Sequence, residues 1–181
     1  MIFMQTDGDT PVGQIVHKRC RAVDGVDDEA VAVGGIGFPG FLAEKGKGAY
    51  LNGTRIHVSN ADTLVESIVG TGFYCLREGW KEENNLKFFA RVAPLVADIR
   101  KYGSAALDAC HVASGSLEAW WELCLAPYDI AAGALILTEA GGTVTDLHGG
   151  NEYPHRGILG SNGKIHNTML EFFQDFKELH R

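Results

Sequence analysis

Trp121-Glu122-Leu123-Cys124-Leu125-Ala126-Pro127-Tyr128-Asp129-Ile130-Ala131-Ala132-Gly133, running on to Glu139-Ala140-Gly141-Gly142, decides the reading of this chain. It sets one carboxylate, Asp129, at the opening of an apolar helix of small residues. Pro127 suits the first turn of a helix, where its missing N–H is no loss. Ala131, Ala132 and Gly133 let the helix approach a neighbouring backbone closely. Gly141-Gly142 ends it, because glycine adopts the left-handed cap conformation without steric cost. Asp129 then has two readings, a ligand for metal or substrate and an N-terminal cap. Local physics favours the cap, since caps are common and metal sites rare.

Outward from this helix the pattern alternates between strands and helices. Upstream, Leu117 to Trp121 is strand-like and ends at Glu122. A helix starts at Gly103-Ser104 and runs through Ala105, Leu107, Val112 and Ala113. Asp98 to Tyr102 and Ser67 to Gly70 read as strands. The spacing of Leu86, Phe89, Val92, Leu95 and Val96 predicts a helix over 82–97. Downstream, Thr143 to Thr145 and Gly157 to Gly160 are strands, and an amphipathic helix is predicted over 163–179. Alternation of this kind predicts a layered α/β domain over 59–181. Residues 1–58 read as a partial antiparallel β region. In it, Phe41 to Leu51 forms a hairpin around Lys45-Gly46-Lys47-Gly48, and Asn52-Gly53 makes a second turn. The Lys-Gly-Lys-Gly segment lacks the spacing of a phosphate loop and reads as a plain turn.

The 181 residues are enough for one domain with a real core, or one domain and part of another. A net charge of −7 argues against a nucleic-acid-binding surface. No apolar run has the length a membrane span needs, and the start lacks the features of a signal peptide. Cys20, Cys75, Cys110 and Cys124 are scattered with no C-x-x-C pair. They read as buried thiols of a cytoplasmic protein.

Several residues are candidates for chemistry. Gly103-Ser104-Ala105-Ala106 is a small-residue turn opening a helix, where unpaired N–H groups can meet phosphate or sugar oxygens. Ser104 is equally well explained as a helix N-cap. Glu122 lies seven residues before Asp129. Two acids near one helix start repel unless a cation or a hydroxyl-rich ligand stands between them. The alternative is a solvated Glu at a strand end. His111 and the Trp120-Trp121 pair read as core or edge packing. There is neither a G-x-S-x-G elbow nor a dinucleotide fingerprint. The compatible nucleophile is therefore metal-activated water.

Arg100-x-x-Gly103-Ser104-Ala105-Ala106-Leu107-Asp108, Val112-Ala113-x-Gly115, Glu122-x-x-Leu125-x-Pro127-Tyr128-Asp129-x-Ala131-Ala132-Gly133 and Glu139-Ala140-Gly141-Gly142 together resemble the C-terminal half of the inositol monophosphatase family. Ala43 to Gly53 resembles the family's hairpin, and Asp24-Gly25 the turn before it. The resemblance implies a layered α/β/α sugar-phosphatase fold, with a C-terminal mixed sheet carrying helices on both faces beside an N-terminal antiparallel sheet. It implies a Mg²⁺-dependent phosphomonoesterase, commonly lithium-inhibited, acting on a small polyol or sugar phosphate and often dimeric. By this resemblance Asp129 binds metal and orients a substrate hydroxyl. Glu122 holds substrate hydroxyls and favours monophosphate over bisphosphate substrates. Gly103, Ser104 and Ala105 line the sugar pocket, and Thr71-Gly72 forms another turn near it.

The family's Asp-Pro-x-Asp-Gly-Thr motif and upstream metal-binding Glu are not matched. The nearest segment is Ile2 to Thr10, in which Asp7 is either a remnant metal ligand or, more in keeping with a common Asp-Gly pair, a surface turn. Two expectations follow: a Mg²⁺-dependent phosphatase, or a truncated or degenerate member that binds sugar phosphates or a partner chain without turnover.

Overall fold

Turn chemistry and period-two alternation build the first sheet. The computed structural model describes residues 30–33, 40–77 and 84–177. Asp7, the Ile2 to Thr10 segment, Cys20 and the Asp24-Gly25 turn lie outside the described residues. Strands β1 (Ala30–Val33), β2 (Phe41–Glu44), β3 (Gly48–Leu51) and β4 (Thr54–Ile56) pair antiparallel in that order. Phe41 and Ala43 are buried while Leu42 between them is 44% exposed, as a one-sided strand requires. Asn52 and Gly53 both have positive φ, 51° and 81°, the hairpin geometry that Asn-Gly tolerates. The turn at Lys45 to Lys47 is pinned from outside. The N–H groups of Gly46 and Gly48 each donate to the Glu139 carboxylate across 2.8 Å. A side chain of this protein thus takes the donors that a phosphate loop would present.

The second sheet has the order β6-β5-β7-β9-β8, from Asp98–Arg100, Ile68–Thr71, Ala119–Glu122, Ile158–Ser161 and Thr143–Thr145. β5 is parallel to β6 and β7; β9 is antiparallel to β7 and β8. The sheet is mixed, with helices on both faces. Trp120 and Trp121 are adjacent on β7 and fully buried, so they face opposite sides. Trp120 packs with α3 (Ala105–Ala113), α4 (Pro127–Glu139) and Phe41, Ala43 and Ala49 of the first sheet. Trp121 packs with α2 (Asn85–Val92), α5 (His166–Glu171) and Phe173. The layers therefore run first sheet, α3–α4, second sheet, α2 and α5. A short helix, α1 (Tyr74–Arg77), follows β5. No helix among the described residues is long and apolar enough to cross a membrane.

α4 forms as its sequence dictates. Pro127 opens it, and a Schellman cap closes it: the Gly141 N–H donates to Thr138 O at 3.0 Å and the Gly142 N–H to Leu137 O at 2.9 Å. Gly141 has φ +91°. At Gly133 a Cβ would lie 2.8 Å from that of Ala109, so the α3–α4 contact needs the glycine.

Two helices depart from expectation. α2 stops at Val92 and buries Asn85, Phe88 and Val92, while Leu86 is 51% and Leu95 46% exposed. Its sequence carries two stripes at helical spacing, and the one that meets Phe173 and Phe176 wins, because Phe88 stacks edge-on against both. α5 ends at Glu171 instead of running to 179. Tighter turns follow, with N–H groups of Phe173 and Phe176 bonded three residues back, and these bring both rings into the core. Cys75 and Cys110 are buried as expected, whereas Cys124 is half-buried.

Candidate active site

β5, β6 and β7 run parallel, so their carboxyl ends open along one edge of the sheet. Ligands of α/β sheets bind at such edges. Three segments leave the sheet here: Gly72-Phe73 after β5, Lys101 to Ser104 after β6, and Leu123 to Ala126 after β7. Glu122, Gly103, Ser104, Ala105 and Asp129 all lie on these segments, at the strand end before them, or in the first turn of the helix that follows.

Glu122 is the last residue of β7 and only 6% exposed, which overturns the reading of a solvated strand-end Glu. The Trp120 indole, two residues back on the same face, donates to its Oε1 at 3.1 Å. Its Oε2 occupies space that only a glycine at 72 leaves open, since a Cβ there would sit 2.1 Å away. Burial raises the Glu122 pKa, against the Trp120 hydrogen bond, which lowers it.

Asp129 is the third residue of α4 and half-buried. Its Oδ2 accepts the Ala126 N–H at 2.9 Å. It does cap the helix, but from inside, because the N-cap position itself holds Ala126, which has no acceptor. Its negative charge acts on Glu122, so the two acids are electrostatic neighbours. Ser104 is the N-cap of α3, its Oγ accepting the Leu107 N–H at 3.4 Å. Gly103 has φ +90°, a conformation suited to glycine. Ala105 is buried.

Three residues at this edge were not anticipated. Asp108 on α3 is 1% exposed, and neither of its oxygens has a hydrogen-bond partner among the described residues. Burial and then the neighbouring Glu122 charge push its pKa up to about 8. Asn85 is fully buried and stitches the edge together. Its amide donates to Thr71 Oγ1 at 2.8 Å and to Gly72 O, and its Oδ1 accepts the Trp121 indole N–H at 2.7 Å. The signal for both was a polar residue on an otherwise apolar helix stripe. The third is Cys124, whose φ of 63° puts a non-glycine residue in the left-handed region, inside the loop joining Glu122 to Asp129.

Among the described residues no group of three His, Cys, Asp or Glu side chains is placed to hold a metal. A Mg²⁺ ion uses one or two carboxylates and completes its shell with water and phosphate oxygens. The half-buried Asp129 carboxylate, next to a second acid, fits as one such ligand. The concavity lined by Leu147, His148, Asn167, Leu170, Glu171 and Gln174 contains none of these residues.

The model of the inositol monophosphatase family matches residues 26–178. The chain is 42% identical over 133 residues to the chloroplastic phosphatase IMPL1 of Arabidopsis thaliana, covering 72% of this chain and 35% of that protein. It is 39% identical over 137 residues to Nus factor SuhB of Pseudomonas aeruginosa, covering 74% and 50%. An inositol monophosphatase from Anabaena superposes with a TM-score of 0.73 at 35% identity, covering 80% of this chain and 57% of that one. The chain spans half the length, or less, of these two curated relatives.

Proposed function

Since the chain belongs to the inositol monophosphatase family, we propose that it hydrolyses a small polyol or sugar phosphate monoester at the carboxyl edge of its second sheet. The observation that carries this reading is the buried Glu122, 6% exposed, with Asp129 close enough for its charge to be felt. A buried acid beside a second acid suits a hydroxyl-rich, metal-assisted ligand better than a purely structural role.

In this reading Asp129 holds Mg²⁺ and orients the hydroxyl beside the scissile ester. When bound, the ion supplies Lewis acidity and a water of lowered pKa. Glu122 accepts hydrogen bonds from the remaining hydroxyls and fixes the ring. Gly103, Ser104 and Ala105 form the wall against which the ring rests. Asp7 is the proposed second carboxylate for the ion.

Phosphate release from inositol 1-phosphate by the purified 181-residue chain, with and without Mg²⁺, tests the proposal against Asp129→Asn. We expect Mg²⁺-dependent release that falls by about 10²-fold or more in the variant. Release indifferent to both changes points to a contaminant, and none from folded protein favours a member that binds without turnover; either result overturns the proposal.

A further inference from the structure

The segment 101–104, which carries part of the proposed pocket wall, has few ties among the described residues. It leaves β6, the edge strand of the second sheet, which pairs only with β5. At its centre is Gly103, with φ +90°, and glycine has more backbone freedom to lose than any other residue. The side-chain bond that closes it onto α3 is long, 3.4 Å from the Leu107 N–H to Ser104 Oγ. The first backbone bond of α3 runs from the Asp108 N–H to Ser104 O at 2.9 Å. The N–H groups of Ala105 and Ala106 therefore have no acceptor inside the helix. A wall that offers donors to a hydroxyl-rich ligand binds best when it is already still, because ordering it on binding costs affinity.

One side chain of the segment reaches an anchor. The Tyr102 ring, 50% exposed, lies against the half-buried ring of His111. Their centroids are 4.6 Å apart and their planes 31° apart, within the range of attractive aromatic pairs. His111 stands about two turns along α3 from the N-cap Ser104. Tyr102 thus precedes the helix yet meets a ring well inside it. The segment is a hook, fastened by the ring pair at one end and the Ser104 cap at the other, with the left-handed Gly103 at the bend. Tyr102 belongs to neither hydrophobic core, so its stack adds nothing to the packing that folds the domain. What it holds is the segment in which it sits. We propose that Tyr102 is a positioning residue: its stack on His111 fixes the hook in the arrangement that presents Gly103, Ser104 and Ala105 to the substrate's hydroxyls. The hydroxyl of Tyr102 takes no part, since the hold is made by the face of the ring.

The kinetic consequence rests on the polyol-phosphate reading, whereas the hold on the segment is measurable without turnover. Backbone amide relaxation of the full chain should give Gly103 and Ser104 order parameters of about 0.85 in wild type and in Tyr102→Phe, and below about 0.6 in Tyr102→Ala and in His111→Ala. In Mg²⁺-dependent hydrolysis of inositol 1-phosphate, Tyr102→Ala should raise KM about three- to tenfold, the worth of one aromatic pair, and leave kcat within about twofold. Tyr102→Phe should keep the wild-type KM. Adding His111→Ala to Tyr102→Ala should raise KM no further, because both changes remove the same stack. With p-nitrophenyl phosphate, which has no polyol hydroxyls, KM should be the same in all these proteins. Order parameters that are low in wild type, or that stay high in Tyr102→Ala, overturn the hook. An unchanged KM in Tyr102→Ala, or a rise that Tyr102→Phe or p-nitrophenyl phosphate shares, overturns the positioning role. If the wild-type chain releases no phosphate, the proposed activity falls and the relaxation data alone decide the hook.

Discussion

Asp108 and Asp146 are both 1% exposed, and their surroundings are opposite. Asp146 follows β8 and gathers three backbone donors from its own loop: His148 at 2.8 Å, Gly150 at 2.8 Å and Glu152 at 3.1 Å. Burial pushes its pKa up, and these three N–H groups outweigh burial and hold it below the usual carboxylate range. The carboxylate shapes the loop, and the loop solvates the carboxylate. At the carboxyl edge Asp108 has no such donors, and its pKa moves the other way. A buried acid satisfied by its own loop is explained by folding. One left without donors, under the charge of a second acid, is not explained by its own loop.

The comparison makes predictions of graded size. The largest is Asp146→Ala, which strands three N–H groups and should lower stability by roughly 3 kcal/mol in urea denaturation. Asp108→Asn should cost less than about 1 kcal/mol, since the amide replaces a neutral acid of the same shape. Equal losses at the two positions would erase the distinction.

The pH dependence sharpens it further. The folded pKa of Asp108 is raised, so between about pH 4 and 8 the folded chain keeps a proton that the unfolded chain has lost. Stability from this group therefore falls as pH rises through that window. Half-buried His111 and buried His166, both lowered by burial, act in the opposite direction, losing stability as pH falls below their ordinary range. They are common to both proteins and cancel in a difference. The stability of Asp108→Asn minus that of wild type should grow by on the order of 3 kcal/mol from pH 5 to 8. For Asp146 the folded pKa is depressed, so its contribution is present above the ordinary carboxylate range and lost below it. Chemical denaturation across pH reads both.

Smaller effects follow at the edge. Gly72→Ala places a Cβ where Glu122 Oε2 lies. It should cost about 1–2 kcal/mol of stability and raise KM for a polyol phosphate severalfold, while the same change at Gly53, where a Cβ meets nothing within 4 Å, should leave KM unchanged. The smallest is Cys124→Gly, which relieves a left-handed residue and should raise the melting temperature by an amount equivalent to about 1 kcal/mol.

Much of the fold was legible because its signals are local. Pro127 and Gly141-Gly142 bracket α4, Asn52-Gly53 makes its turn, and Ser104 caps α3. The two tryptophans on opposite faces of β7 follow from strand alternation. What was not legible depends on distant partners. The buried stripe of α2 is chosen by Phe173 and Phe176. Glu122 is buried because β7 is central and Gly72, far back in sequence, makes room. Asp108 reads as an ordinary polar residue in the first turn of a helix until Glu122 is seen facing it. Asp7 falls outside the described residues, and its metal role stays a proposal.

The central claim, that polyol phosphates are read at the carboxyl edge of the second sheet, is tested most directly by following backbone amide resonances during titration of inositol 1-phosphate with Mg²⁺ into Asp129→Glu or wild-type chain held too cold for turnover. The account predicts shifts concentrated at Gly72, Gly103, Ser104 and Glu122, with the amides of His148, Gly150 and Glu152 unmoved. Shifts centred on the Asp146 loop, or none at the edge under saturating ligand, would contradict it.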